Sequence, residues 1–234
     1  MSDYERYGDY NEADEAPAGS GKVVLIARII QILIAAVLIL VIGLVIARVI
    51  LFNFYPSSVT DVLYTDALAA YRDANGTADL MTQRNDILYD DADEGNFFFD
   101  KLVCSPNADH LQVAFKYNVS LIAAINEEYG TALDPNADPT ELFDFTLVKT
   151  RDGFEGTGKV EVESVGTMTG VITDSLMMYR YIKVAFDGVD FGFDEGESPV
   201  GWFRLDITPR GIEVEEPYSL AVYIKDTELV AYGG

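Results

Sequence analysis

Three residue types that often carry chemistry are almost missing from this chain. Its 234 residues include one cysteine, Cys104, one histidine, His110, and one tryptophan, Trp202. A single cysteine excludes a disulfide within the chain. A single histidine excludes any site built on two, including the common histidine-rich zinc sites. The glycine loops that bind phosphate and the Gly-x-Ser-x-Gly turn of hydrolases are also missing from the sequence.

Basic residues are scarce as well. The chain has 16 Lys and Arg against 39 Asp and Glu, which gives a formal net charge of −23. Residues 56–234 carry twelve of the basic and thirty-three of the acidic side chains, a net charge of −21. A surface this acidic repels phosphate backbones, so we expect no nucleic-acid partner.

Polar residues are missing from one stretch, Ile29–Ala47, where Gln31 is the only polar side chain. Nineteen helical residues span about 28 Å, close to the hydrocarbon thickness of a bilayer. Arg28 and Arg48 bracket the stretch. The pattern predicts one transmembrane helix, and the membrane is therefore the first expected partner of the chain.

Basic residues near the two ends of this helix predict its orientation. Lys22 and Arg28 precede the apolar stretch, whereas Arg48 alone follows it closely. Because basic residues favour the cytoplasmic side, we expect a single-pass cell-membrane protein with a cytoplasmic N-terminus and an extracytoplasmic C-terminal domain. The stretch is longer than the apolar part of a cleaved signal peptide, which favours an uncleaved anchor.

Small residues recur along the same helix. Ala36, Gly43 and Ala47 are seven and four positions apart and therefore share one helix face. Small residues at such spacings allow transmembrane helices to approach closely. This face is a candidate for self-association, and chance is the alternative, since alanine is common in membrane helices.

Composition divides the chain into four predicted regions. They are an acidic disordered cytoplasmic tail at 1–21, the transmembrane helix with its flanks at 22–55, a membrane-proximal helix and linker at 56–96, and an extracytoplasmic β-domain at 97–234. Ser58 and Asp61 resemble a capping box that would start a helix reaching about Arg72, which Asn75-Gly76 would end.

Short strands separated by turn residues dominate the last region. Phe97–Cys104 and Leu111–Tyr117 flank a turn and predict a hairpin, and Ser120 is a candidate cap for a short helix that Gly130 ends. Further strands are predicted at Leu142–Val148, Lys159–Glu163, Leu176–Phe186, Val189–Phe193, Trp202–Ile207, Ile212–Val214, Tyr218–Lys225 and Leu229–Tyr232. The fold class expected is all-β or β-rich α+β, an antiparallel immunoglobulin-like sandwich with one or two short helices.

Cys104 and His110 are the only possible thiol nucleophile and imidazole base. They flank the predicted hairpin turn, so an enzyme would need them to meet in a polar pocket. The alternative is a buried free thiol and a histidine of the hairpin. We expect the latter, and the chain is not predicted to be an enzyme.

One loop has the oxygen spacing of a partial calcium site. Asp134, Asn136 and Asp138 alternate as in the first half of a calcium-binding loop. Pro139 stands where the loop needs glycine, and Phe145 stands where it needs glutamate. Calcium is therefore a candidate cofactor at these three residues, and the alternative is an acidic turn in which Asp138 caps the next segment.

The sequence thus predicts where the protein lies better than what it binds. The first hypothesis is a non-enzymatic binding or scaffolding module whose partner is an unidentified protein or the cell wall. The alternative is a carbohydrate- or cell-wall-binding module, with calcium assistance as an option and with Trp202, Tyr179, Tyr181 and Tyr223 as its aromatic platform. The competing interpretation of these aromatic residues is packing in the core.

Overall fold

A computed structural model describes residues 20–84, 96–150, 163–191, 201–215, 217–224 and 230–232. The chain divides into two compact units, Met1–Asn53 and Phe54–Gly234. The first contains one long helix, and the second contains the strands.

Helix α1 is the predicted apolar helix, and it spans Ser20–Asn53, 34 residues. From Val23 to Ile50 its large apolar side chains are 47–71% exposed. Among the described residues it is the one helix long and apolar enough to cross a membrane. At 1.5 Å per residue its length is about 51 Å, which exceeds the thickness of the hydrocarbon core.

The second unit is built from two antiparallel sheets. In the described ranges the strands are β1 Met81–Arg84, β2 Phe97–Ser105, β3 His110–Asn118, β4 Phe143–Thr150, β5 Glu163–Ser164, β6 Thr167–Leu176, β7 Tyr179–Asp187, β8 Gly201–Pro209, β9 Tyr218–Ile224 and β10 Val230–Ala231. One sheet has the order β10-β1-β2-β3-β7-β6, and the other has the order β5-β4-β8-β9.

Aromatic side chains join the two sheets in a common core. The ring centroids of Phe97 and Phe143 are 6.0 Å apart, and those of Phe115 and Phe145 are 6.2 Å apart. Phe203 lies in the same buried cluster. The β-rich antiparallel fold class is therefore confirmed. The immunoglobulin-like arrangement is not confirmed, since β1, β2 and β3 lie side by side in chain order, unlike the strands of that fold.

Several local predictions are confirmed. Strands β2 and β3 form the expected hairpin, closed by the pair Ser105 and His110. Helix α4 spans Ser120–Tyr129 and ends at Gly130, whose φ of 66° is in the left-handed region that glycine adopts easily. Ser120 is the first residue of this helix rather than its cap, a position that Val119 occupies.

The predicted helix of residues 58–72 is broken in two. Helix α2 covers Ser57–Thr60 and helix α3 covers Asp66–Asn75, with extended backbone at Asp61. The expected capping box does not form, because α2 has no side-chain cap. Instead, the hydroxyl of Thr65 accepts a hydrogen bond from the Leu68 amide and starts α3.

The predicted strand Leu176–Phe186 was wrong at its start. Leu176 ends β6 and Tyr179 begins β7, so a hairpin turn lies at Met177-Met178. Residues 189–191 and 212–214 are not strands, and 192–193 lie outside the described residues. Of the predicted strand Lys159–Glu163, only Glu163 is described.

Residues 55–80, here called the strap, cover the outer face of the six-stranded sheet. The ring of Tyr55 contacts the ring of Tyr181 on β7, with centroids 5.3 Å apart. Ser58 donates to Asp174 on β6 at 2.8 Å, and Ser105 on β2 donates to the Ala78 carbonyl at 2.6 Å. The described residues 56–84 belong to the segment predicted to be a membrane-proximal helix and linker. They contribute this cover and strand β1 to the same compact unit as the later strands.

Candidate functional site beneath the strap

Polar side chains line the sheet face under the strap. Pairing registers place His110, Gln112 and Lys116 of β3 on the face opposite the core residues Val113 and Phe115. On an uncovered sheet this alternation would give a solvent-facing row. Here all three polar side chains are at most 1% exposed. The strap thus turns a polar sheet face into an interior, where each polar group needs a partner.

The side chain of Gln112 forms hydrogen bonds to the backbone of the strap. Its side-chain oxygen accepts from the Leu63 amide at 2.9 Å, and its nitrogen donates to the Leu63 carbonyl at 2.6 Å. The same nitrogen lies 2.7 Å from Nε2 of His110. This arrangement uses the hydrogen-bonding capacity of the amide nitrogen fully.

His110 continues the network toward β7. Its Nδ1 contacts the carboxylate of Asp187, to which the Thr65 hydroxyl also donates, at 3.0 Å. We call His110, Gln112, Asp187, Thr65 and the Leu63 backbone the clasp. Thr65 also caps α3, so the clasp fixes both the middle of the strap and the start of its longer helix.

The clasp requires a neutral histidine with its proton on Nδ1. Because the Gln112 nitrogen is a donor, Nε2 of His110 must accept, which leaves Nδ1–H to donate to Asp187. If Nε2 of His110 were protonated, its N–H and the N–H of Gln112 would face each other, and neither would have an acceptor in this contact. Burial lowers the pKa of His110, while the hydrogen bond and the charge of Asp187 act in the opposite direction.

Lys116 lies in an aromatic cage. Its Nζ is 4.5 Å from the ring centroid of Tyr55 on the strap, and 5.4 and 5.8 Å from those of Tyr179 and Tyr181 on β7. Burial lowers its pKa to about 8, and the charge of Asp100 opposes that shift. Cation–π attraction from three rings partly offsets the loss of hydration of the buried ammonium group.

The buried charge of Lys183 is compensated less well than that of Lys116. It is 1% exposed, and its Nζ has no hydrogen-bond partner among the residues that the structure describes. Burial, followed by the charge of Lys101, lowers its pKa to about 8, while Asp61 and Asp100 oppose the shift. An uncompensated buried ammonium group destabilises a fold, so this residue is a weak point of the covered face.

Cys104 and His110 do not meet. Cys104 is buried in the core between the sheets, whereas His110 lies on the outer face under the strap. Burial raises the pKa of the Cys104 thiol to about 12. A catalytic thiol requires the opposite shift. Cys104 and His110 therefore do not form the thiol–imidazole pair considered from the sequence.

The residues of the candidate calcium loop have protein partners. Asp134 accepts from the Asn136 amide at 2.9 Å, and Asp138 accepts from the Thr140 amide at 2.9 Å and caps helix α5, Pro139–Leu142. The Thr140 hydroxyl also donates to Asp138, at 2.6 Å. This hydrogen bond, followed by the one from the Thr140 amide, is the main cause that lowers the pKa of Asp138.

A cation of the protein already faces this loop. Nη2 of Arg180 donates to the carbonyls of Asn136 and Ala137 at 3.3 and 2.8 Å. In the described ranges no group of three His, Cys, Asp or Glu residues is arranged to hold a metal ion. Calcium at Asp134, Asn136 and Asp138 stays a prediction, and its acidic-turn alternative accounts for the observed hydrogen bonds.

The proposed aromatic platform is divided between the sheets. Tyr179 and Tyr181 are on β7 and are at most 3% exposed, whereas Trp202 and Tyr223 are paired positions on β8 and β9. The side chains of Trp202 and Tyr223 lie outside the described part of the structure. The two buried tyrosines pack under the strap, in agreement with the packing interpretation.

Sequence reasoning missed the clasp. Its one visible signal was a lone histidine two positions before a glutamine in a strand, and that signal does not identify a partner segment 49 residues away in sequence.

Among the described residues, the small-residue face of α1 has no partner helix in a single chain. An added Cβ at Gly43 would meet nothing within 4 Å, so self-association through Ala36, Gly43 and Ala47 stays a prediction.

No family model, curated protein or solved structure matches this chain.

Proposed function

We propose that this chain is a single-pass membrane protein that presents an extracytoplasmic binding or scaffolding domain. The observation that carries the proposal is α1, a helix of 34 residues whose large apolar side chains from Val23 to Ile50 are all at least 47% exposed. In water such a surface would drive aggregation, whereas lipid solvates it. The excess of Lys22 and Arg28 over Arg48 supports a cytoplasmic location for the residues before α1.

The free edge of β6 supports a binding role for the domain. β6 pairs with β7 on one side, and no described strand pairs with it on the other. Its ten residues contain no Lys, Arg or Pro, which often block such an edge. Its one charged residue, Asp174, accepts a hydrogen bond from Ser58 of the strap, and its register shift lies at one end, between Met168 and Gly170. An extended partner segment can add to an open edge through main-chain hydrogen bonds, and the net charge of −21 on residues 56–234 favours a basic one.

Membrane insertion and orientation are tested with exposed cysteines in the full chain. We expect the protein to resist alkaline extraction from membranes, and a Val230→Cys variant to react with an impermeant maleimide on intact cells. A Ser2→Cys variant should react only after lysis. Buried Cys104 makes the wild type an unreactive control. The reverse labelling pattern would refute the orientation, and alkaline extraction of the chain would refute the anchor.

Binding at the β6 edge is tested with a photo-crosslinking residue at exposed Thr169, in membranes of the source cell. A matched probe at Glu213, an exposed position outside the strands, is the control. Adducts specific to Thr169 that disappear after Val171→Pro would support binding through this edge. Equal adducts from both positions would contradict it.

A further inference from the structure

The turn between β6 and β7 exposes two methionines. Met177 is 77% exposed, the highest value among the large apolar side chains of the described residues, and Met178 is 38% exposed. Met177 also has a φ of 53°, a conformation that glycine or asparagine adopts with less strain. Neither packing nor turn preference accounts for methionine at this position.

This turn lies at the end of the domain where the chain arrives from α1. Asn53 is the last residue of α1, and Tyr55 already contacts Tyr181 on β7. Two residues of chain span at most about 7 Å. Met178 precedes Tyr181 by three residues, which is about 10 Å along a strand. A helix that spans a membrane would therefore hold this end of the domain near the lipid surface.

The apolar character of this end fits a lipid surface. Phe54, the first residue of the domain, is 49% exposed, and no acidic residue occurs from Leu176 to Tyr179. Methionine is flexible and polarisable, which suits it to an irregular apolar environment. Tethering by α1 raises the effective concentration of the turn at the membrane, so two side chains suffice for a contact.

We propose that the Met177-Met178 turn inserts into the lipid–water interface of the membrane that α1 spans. The inference rests on the proposed function, since without a spanning α1 there is no tether. The occupant is the bilayer surface itself and requires no specific headgroup. The strong negative charge of the domain disfavours anionic lipids, so a zwitterionic bilayer is the appropriate probe.

The test uses the full chain in phosphatidylcholine nanodiscs with an environment-sensitive fluorophore on single introduced cysteines. Reporters are placed at Leu38→Cys in α1, at Ser175→Cys beside the turn, and at Val230→Cys, an exposed residue on β10. Lipids that carry a nitroxide quench fluorophores in contact with the bilayer. We expect quenching at positions 38 and 175 and none at 230. In the position-175 reporter, M177S together with M178S should abolish quenching, whereas V230S should leave it unchanged.

The outcomes separate the two proposals. Quenching at position 38 without quenching at 175 overturns the inference and leaves the anchor intact. Quenching at 175 that survives the double methionine substitution also overturns it, because the contact would then not depend on the turn. A lack of quenching at position 38 overturns the proposed function, and the inference falls with it.

Discussion

Acidification should loosen the strap through His110, the only histidine of the chain. Burial lowers the pKa of His110 below its ordinary value of 6.5 in the folded protein. The unfolded chain therefore binds this proton more readily than the folded chain does. The stability that neutral His110 confers is complete above pH 6.5 and is lost as the pH falls toward the folded pKa.

The size of this effect follows from proton linkage. One proton taken up on unfolding changes the free energy of unfolding by at most about 1.4 kcal/mol per pH unit. For a domain of this size, that corresponds to a fall in Tm of about 3 to 5 °C per pH unit within the window. Protonation inside the clasp also sets Nε2 of His110 against the Gln112 amide, so the loss reflects a broken contact with the strap.

The assay compares the wild type with His110→Gln in detergent micelles. Glutamine can accept from Gln112 and donate to Asp187, but it does not titrate. Thermal melts followed by the fluorescence of Trp202 at about pH 7.5 and about pH 5.5 should show a larger loss of Tm in the wild type. Carboxylates titrate in both proteins, so the difference between the two losses isolates the histidine.

The protonation state of His110 can be measured directly. In the wild type, NMR of the single imidazole should show the neutral ring with its proton on Nδ1 near neutral pH. A folded-state pKa at or above 6.5, or equal pH dependence of Tm in the two proteins, would show that the clasp does not require neutral His110.

Three further substitutions test other parts of the covered face and the acidic loop by urea unfolding of the full chain. Gln112→Leu should lower the free energy of unfolding by about 2 to 4 kcal/mol, because the part-buried backbone groups of Leu63 lose their partners. Lys183→Met should raise it by about 1 kcal/mol or more near neutral pH, since it removes an uncompensated buried charge. Asp138→Ala should lower it by about 0.5 to 2 kcal/mol through loss of the α5 cap, and Asp138→Asn should largely preserve it.

Each of these changes has its own control. Gln112→Glu keeps the shape of the side chain but loses the donor to Leu63 and His110, so it should also destabilise near neutral pH. The stability of the wild type should rise with pH above about 8 as Lys183 loses its proton, and Lys183→Met should reduce that rise. Unchanged stability in Gln112→Leu, or a marked loss in Lys183→Met, would contradict the account of the covered face.

Calcium at Asp134, Asn136 and Asp138 is decided by melts in excess chelator and then in millimolar calcium. A clear calcium-dependent rise in Tm would establish linked binding and folding. Because Arg180 already donates to the carbonyls of this loop, we expect Arg180→Met to increase any such rise. An unchanged Tm in both proteins would leave the acidic turn as the complete explanation.

The sequence predicted elements whose signals are local. The apolar run of α1 needs no tertiary information, and the β2–β3 hairpin is marked by Pro106 and Asp109 between two strand patterns. The glycines that end α3 and α4 are similarly local, since Gly76 and Gly130 adopt the positive φ that their positions require.

The errors occurred where a tertiary contact or an unusual turn decided the structure. The β6–β7 turn contains no glycine, asparagine or proline, so Leu176 and Tyr179 looked like parts of one strand. Thr167–Leu176 has only a weak apolar alternation, and its side chains are half-buried or exposed along the whole strand. A strand with this pattern has no strong local signal.

The candidate site was hidden for a related reason. His110, Gln112 and Lys116 alternate with apolar residues, which predicts a solvent-facing row. Their burial depends on a segment that the sequence suggested was a connector. Local periodicity specifies which residues share a face, but it does not specify whether another segment covers that face.

The central claim is that the strap lies folded across the outer face of the six-stranded sheet. The most direct measurement is disulfide formation between Ser58→Cys and Asp174→Cys, whose native side chains are 2.8 Å apart. We predict that mild oxidation of the full chain joins this pair within one molecule, while a control pair of Ser58→Cys with Thr131→Cys stays reduced. A strap that does not cover the sheet would leave both pairs reduced, or would link them only between molecules.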